Sequence, residues 1–279
     1  MTSDAIELVA FGPEHLEGAH LLSQQASWPH RLEDWRTALA LSSGLAAISN
    51  QGSRVVGTAL VTPYGGDAAT VNMVIVEKAS RGHGLGRKLM DAALALAGDR
   101  ALRLVATDDG VPLYRRLGFE KTGTIAQHQG LVRSVAAQAG VRPARPAELP
   151  AIIKLDHIAY GADRAALISH FAEIGSLAVL ERAGELAGFA ALRPFGRGEV
   201  IGPVVASDAD DAKALIADFL APRCGAFVRL DTDVTTGLGP WLAEQGLDHV
   251  DGGVVMRRPA LPTSVARFTT FALANQALG

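Results

Sequence analysis

Cysteine is almost absent. Cys224 is the one thiol in 279 residues, so the chain can form no intramolecular disulfide and no zinc site built on cysteines. Long apolar runs are missing as well: no stretch of about 18 uninterrupted apolar residues occurs, which argues against a membrane span. There is no surplus of positive charge, because 26 lysines and arginines face 29 acidic residues and the formal net charge is −3. That removes the general electrostatic case for a nucleic-acid partner. Residues 1–20 carry early acidic groups and no basic-then-apolar leader, so no secretory signal is expected and the protein reads as cytoplasmic. What remains is the balance of a globular protein, with 48% hydrophobic and 20% charged residues. Its length suits two domains of about 140 residues each.

Strand-like and helix-like patterns alternate through the first half. Strands are predicted over residues 6–11, 44–49, 55–62, 70–76, 102–106 and 119–125. Helices are predicted over 13–25, 32–41, 87–96 and 111–117. Leu16, Ala19 and Leu22 share one helix face, and Leu89, Ala93 and Leu96 are expected to share another. Asn50, Gln51 and Gly52 are expected to turn the chain between two strands. Pro143, Pro146 and Pro150 fall among small residues over 136–150. The domain boundary is placed there, giving units 1–138 and 139–279.

The second unit reads as a faded copy of the first. Residues 55–59 and 63–65 match 186–190 and 194–196 without gaps, so that Pro63-Tyr64-Gly65 answers to Pro194-Phe195-Gly196. Residues 72–76 match 202–206 after one deletion, and Leu102-Arg103-Leu104 matches Val228-Arg229-Leu230. Matches that keep one order favour an internal duplication.

The chemistry-bearing segment is the strand over 70–76, the turn Arg81-Gly82-His83-Gly84-Leu85-Gly86, and the helix beginning near Arg87. Glycines let the backbone turn tightly and aim several N–H groups at one point, and the helix start adds free N–H groups and the positive end of its dipole. A pyrophosphate suits such a place. A Walker loop is excluded because Gly86 is followed by Arg87 and Lys88, and a dinucleotide fingerprint because the residue three beyond Gly86 is Leu89. The pattern met is Arg/Gln-x-x-Gly-x-Gly/Ala, through Arg81, Gly84 and Gly86. Downstream follows Leu113-Tyr114-Arg115-Arg116-Leu117-Gly118-Phe119, of the form Leu-Tyr-x-x-x-Gly-Phe.

Together these motifs, with the strand–helix order over 6–125, resemble the GNAT superfamily of N-acetyltransferases. The resemblance implies an α/β (α+β) fold of two tandem GNAT-like domains, each a mixed, mostly antiparallel sheet flanked by helices. It implies acetyl-CoA as co-substrate, held by Arg81, Gly82, His83, Gly84, Leu85, Gly86 and Arg87, with no metal. The backbone of a bulged strand, Met73, Val74, Ile75 and Val76, would hold the acetyl carbonyl. Tyr114 would protonate the departing thiolate. Glu77 and Asp108, each at a strand end, are the candidate bases. Trp28 and His30 between the first helices, and His128 in the late strand, are candidates for acceptor contact.

The second unit lacks both motifs. Ser207-Asp208-Ala209-Asp210-Asp211 stands where the glycine turn would be, and like charges are wrong for CoA there. Those aspartates suit the start of a helix over 212–220 instead, and Leu242 stands in the place of Tyr114. The second unit is expected to wall the acceptor cleft or to mediate homodimerisation, and the closing segment 268–279 to pack on one unit. The expected activity is acetylation of a primary amine of a small molecule. The alternatives are a protein or peptide acceptor and a non-catalytic acyl-CoA sensor.

Overall fold

The computed structural model describes residues 6–49, 54–259 and 267–279, so the expected turn at Asn50, Gln51 and Gly52 lies outside the described residues. The first half contains β1 (Ile6–Ala10), α1 (Leu16–Gln25), α2 (Leu32–Leu41), β2 (Ser43–Ser49), β3 (Arg54–Tyr64) and β4 (Ala68–Val76). It continues with α3 (Leu85–Ala97), β5 (Ala101–Ala106), α4 (Val111–Arg116) and β6 (Glu120–Leu131). The second half runs β7 (Val141–Pro143), α5 (Leu149–Tyr160), α6 (Ala165–Ile174), β8 (Ser176–Arg182), β9 (Glu185–Phe195) and β10 (Gly198–Ala206). After these come α7 (Ala209–Leu220), β11 (Phe227–Asp233), α8 (Gly239–Glu244), β12 (Asp248–Arg258) and β13 (Thr269–Ala272).

Among the described residues these strands form one thirteen-stranded sheet in the order β1-β2-β3-β4-β5-β12-β6-β11-β13-β10-β9-β8-β7. Set β13 aside, and the order mirrors itself about the β12–β6 pair. Each half sends its late strand into the other: β12 pairs antiparallel with β5, and β6 pairs antiparallel with β11. The sheet therefore runs unbroken from one half to the other through the β12–β6 pair. Part of the proline-rich stretch is itself β7, which pairs through Val141, Arg142 and Pro143 at the sheet edge, where a proline costs no ladder bond.

Helices cover both faces. α3 packs through Leu85, Leu89, Met90, Ala93 and Ala97, together with Ala69 and Val71 of β4. Leu96, expected on this face, is exposed. α1 and α2 join a separate core through Leu16, Ala19, Leu22, Trp35 and Ala38, with Met73 and Ile75 of β4. Residues 69, 71, 73 and 75 share one parity, yet serve two cores. The reason is a bulge: the β3–β4 register slips between Thr58 and Leu60, and Met73 takes φ +48°. One extra residue turns the strand's later side chains to the other face.

Both halves have a splayed pair of parallel strands. β4 and β5 pair only at Ala68–Thr70, and β10 and β11 only at Glu199–Val200. The second splay is filled by the chain itself, because β13 pairs with both β10 and β11. The closing segment thus packs within the second half, and it also reaches the first, where the Tyr64 hydroxyl donates to the Leu278 carbonyl. No helix among the described residues is long and apolar enough to cross a membrane.

Candidate active site

The glycine turn leads into α3 with Gly84 as its N-cap at φ +79°, a left-handed conformation that a side chain resists. Gly82 shares it at φ +83°. A Cβ at either position would meet nothing within 4 Å, so the turn presents bare backbone to open space. No side chain caps the helix. The first bond into it is Lys88 N–H to the Gly84 carbonyl at 3.1 Å, which leaves the N–H groups of Leu85, Gly86 and Arg87 without acceptors among the described residues. Arg81 is fixed by its Nε donating to the Val76 carbonyl at 3.1 Å. His83 is exposed, and Arg87 is drawn to Asp91 at 2.8 Å.

From this turn a groove of about 400 Å³ runs between the end of β4 and the loop after α1, lined by Val74, Val76, Lys78, Arg81 and Thr107 among others. It shares Ser27, Trp28, Val74 and Thr107 with a deeper cavity of about 310 Å³. That cavity opens in the β4–β5 splay beside the Met73 bulge and contains Tyr114. The Tyr114 side chain is buried, edge-on to Phe119, and its hydroxyl bonds to no described residue. Burial pushes its pKa up to about 12.

Trp28 and His30, the two loop candidates, line the cavity. Burial pulls the His30 pKa down to about 4; nearby Asp34 opposes this, and Arg229 and Arg193 reinforce it. The ring is therefore neutral near pH 7, and its Nδ1 has no partner among the described residues. His128 is not brought to this site. It lies between Gln127 and Gln129 on β6, so its side chain takes the other face and lines a different cavity with Asp233 and His249. Asp108 opens on that second cavity too and is exposed. Glu77 lines the groove rather than the Tyr114 cavity, and it is paired with Arg54.

The remaining walls come from residues that the sequence reading missed: Asn72 on β4, Phe195 and Arg197 from the β9–β10 turn, Arg229 on β11, Asp251 on β12 and Gln276 in the closing segment. One signal was available. The duplication pairs Phe195 with Tyr64, and each ring docks on the other half: Phe195 on the loop between α1 and α2, Tyr64 on the last residue of α5. Phe195 meets His30, and Tyr64 meets Tyr160. The Gly196 N–H donates to Asp34 Oδ2 at 3.0 Å, which fastens the turn to α2. Burial disfavours the Asp34 charge, but hydrogen bonds from Arg31 and from the Gly196 backbone outweigh it and hold the carboxyl below its ordinary range.

The equivalent place in the second half is closed. Asp208 caps α7, accepting from the N–H groups of Asp210 at 3.0 Å and Asp211 at 2.9 Å, so the helix start is already occupied. The β10 bulge lies at Gly202–Pro203, where the match to 72–76 sets Pro203 against Met73, and proline has no N–H to offer. A Cβ on Gly202 would collide with the Leu273 carbonyl, so the closing segment lies directly on that bulge. Leu242, opposite Tyr114 in the comparison, is buried apolar core.

Two family models, each described as an acetyltransferase (GNAT) domain, match residues 43–121 and 152–269. The chain belongs to the GNAT acetyltransferases and carries two such domains in tandem. It is 25% identical over 280 residues to the uncharacterized N-acetyltransferase YitH of Bacillus subtilis, covering 98% of each chain. A protein of Pyrococcus horikoshii, solved as a candidate acetyltransferase, superimposes with a TM-score of 0.80 at 18% identity, over 100% of this chain and 98% of the other. A tandem GNAT protein from the clavulanic acid biosynthesis pathway matches with a TM-score of 0.61 at 17% identity, over 93% and 100%. Those two structural likenesses concern the fold.

Proposed function

We propose that the first half binds acetyl-CoA along the glycine turn and groove, and transfers the acetyl group to a primary amine of a small molecule in the cavity between the halves. The observation that carries this reading is the continuity of an uncapped, side-chain-free helix start, a groove edged by Lys78 and Arg81, and a cavity holding both the β4 bulge and Tyr114. A volume of about 310 Å³, walled by both halves, suits a small molecule better than a polypeptide.

Acetyl-CoA supplies an activated thioester. The turn and helix N–H groups of Leu85, Gly86 and Arg87 hold its pyrophosphate, and the backbone of Met73–Val76 faces the acetyl carbonyl. In the overall transfer the amine forms the C–N bond as the C–S bond breaks, the nitrogen loses one proton, and the departing sulfur takes one up. Tyr114 donates a hydrogen bond to that sulfur. With its pKa at about 12, complete proton transfer to a thiolate of pKa about 8.5 is uphill by about 5 kcal/mol, so the phenol acts as a hydrogen-bond donor as the charge develops.

Neither Glu77 nor Asp108 lines the cavity, so a direct carboxylate base from that pair is not part of the reading. An alkylamine of pKa about 10.4 then enters neutral at a cost of about 4.6 kcal/mol at pH 7, unless its own pKa is lower. Titration of acetyl-CoA by calorimetry tests the cofactor site. One equivalent is expected for wild type and none for a Gly84→Glu/Gly86→Glu variant. Two equivalents would reopen the second half as a site, and no binding would remove the reading.

A further inference from the structure

The second half gives the acceptor cavity a charge that acetyl transfer itself does not require. Arg229 grips Asp231 through Nε at 3.0 Å and Nη2 at 2.9 Å, and its Nη1 has no bond among the described residues. Arg197 stands exposed at the cavity wall, with no carboxylate partner among the described residues. Arg193 lies buried behind Phe195, its centre 5.0 Å from that ring, and among the described residues donates only to the Ala274 carbonyl at 3.2 Å. Against these stand Asp34, offset by Arg31 at 2.8 Å, Asp231, already taken, and Asp251, whose Oδ1 accepts from the Gly252 N–H at 2.7 Å. His30 is neutral. One guanidinium charge is left over at the cavity, which favours an anion there.

The opposite wall asks for a donor. Asn72 gives its Nδ2 hydrogens to Thr62 Oγ1 at 2.8 Å and the Thr70 carbonyl at 3.3 Å, which fixes the amide flip. Its Oδ1 is buried without a partner among the described residues, one residue before the Met73 bulge where the acetyl group is read to sit. A buried acceptor left unpaired is costly, and an incoming amine N–H satisfies it.

Resting on the acetyl-transfer reading, we infer that the acceptor is a small amine that also carries an anionic group, of the amino-carboxylate class. Arg197 and the free edge of Arg229 hold the anion, while Asn72 Oδ1 receives the amine beside the bulge. A planar guanidinium suits a carboxylate through paired hydrogen bonds. A polyamine would bring further cations to a wall that already has one too many.

The test is a panel of L-amino acids, their α-amides and the matching decarboxylated amines, with acetyl-CoA held fixed. Thiol release and product mass are followed together. Acids are expected to exceed their amides by at least tenfold in kcat/KM. Arg197 is exposed, so Arg197→Gln should fold; in it the acid-over-amide ratio should fall toward one, mainly through KM. Arg197→Lys should recover part of the preference, and acetyl-CoA affinity by calorimetry should be unchanged in both. A wild-type preference for amides or bare amines, or a ratio untouched in Arg197→Gln, would overturn the inference and leave acetyl transfer standing. Failure of every amine despite bound acetyl-CoA would instead remove the acetyl-transfer reading, and the inference with it.

Discussion

Phe195 stands edge-on to His30, with ring centroids 5.3 Å apart and planes at 81°, and the two rings come from opposite halves of the chain. Tyr64 and Tyr160 repeat the arrangement at 5.6 Å and 88°. The duplication has kept its geometry and divided its uses. The Phe195 contact walls an open cavity, whereas beside Tyr64 the corresponding space is taken by the closing segment.

Replacing Phe195 with Ala should therefore act twice. Loss of a buried aromatic and its edge contact costs about 3–5 kcal/mol, read as a lower urea midpoint. It should also raise the acceptor KM at least tenfold while leaving acetyl-CoA affinity unchanged. Tyr64→Ala should cost comparable stability without moving the acceptor KM. If both variants raised KM alike, the effect would be general loosening rather than loss of a wall.

His30 should mark the acid side of the stability profile. Its pKa is depressed from 6.5 to about 4, so the folded state favours the neutral ring. That contribution is complete above pH 6.5 and is lost as pH falls through 4. Its ceiling is about 3 kcal/mol, and the actual value is smaller because the ring keeps some exposure. Urea midpoints measured from pH 7 to pH 4 should fall more steeply for wild type than for His30→Phe. Parallel declines would assign the acid sensitivity to other groups.

Tyr114→Phe should lower kcat by about 100-fold or more while keeping the acetyl-CoA dissociation constant within about twofold. The pH profile separates this role from a structural one. Below the acceptor's pKa, kcat/KM should rise about tenfold per pH unit as the amine loses its proton. Tyr114 keeps its own proton up to about pH 12, so it should add no falling limb at moderately alkaline pH. A decline near pH 9 that disappears in Tyr114→Phe would show that the phenol titrates lower than its burial implies.

The glycine turn and its helix start were legible in the sequence because their parts are local. Glycines at 82, 84 and 86 must follow one strand and open one helix, and that spacing shows in a linear reading. The capping role of Asp208 was legible for the same reason. The walls of the Tyr114 cavity were not. Phe195, Arg229, Asp251 and Gln276 are distant in sequence and converge only through the sheet, and no local pattern encodes which strand pairs with which. His128 was misplaced by one residue of alternation: its neighbours Gln127 and Gln129 face the cavity, and a period of two sends His128 to the other side. The strand exchange was hidden because β6 and β12 look like ordinary closing strands of their own halves.

That exchange gives the last prediction. A chain cut after Gly140 would keep β5 but lose β12, the strand paired with it from Val254↔Ala106 to Arg258↔Leu102. It would also strip β6 of both neighbours, since β12 and β11 lie on either side. Two long ladders would be left as open edges, with Met256 gone from the first half's core. The isolated first half should therefore be insoluble or self-associating, and adding the missing strand as a peptide spanning 246–259 should improve its solubility. The intact chain should unfold in one cooperative step, because neither half completes its sheet alone. Calorimetry checks this directly. Two resolved transitions, or a monomeric and folded 1–140 fragment, would show that the halves are independent units and that the exchanged strands bear little of the stability.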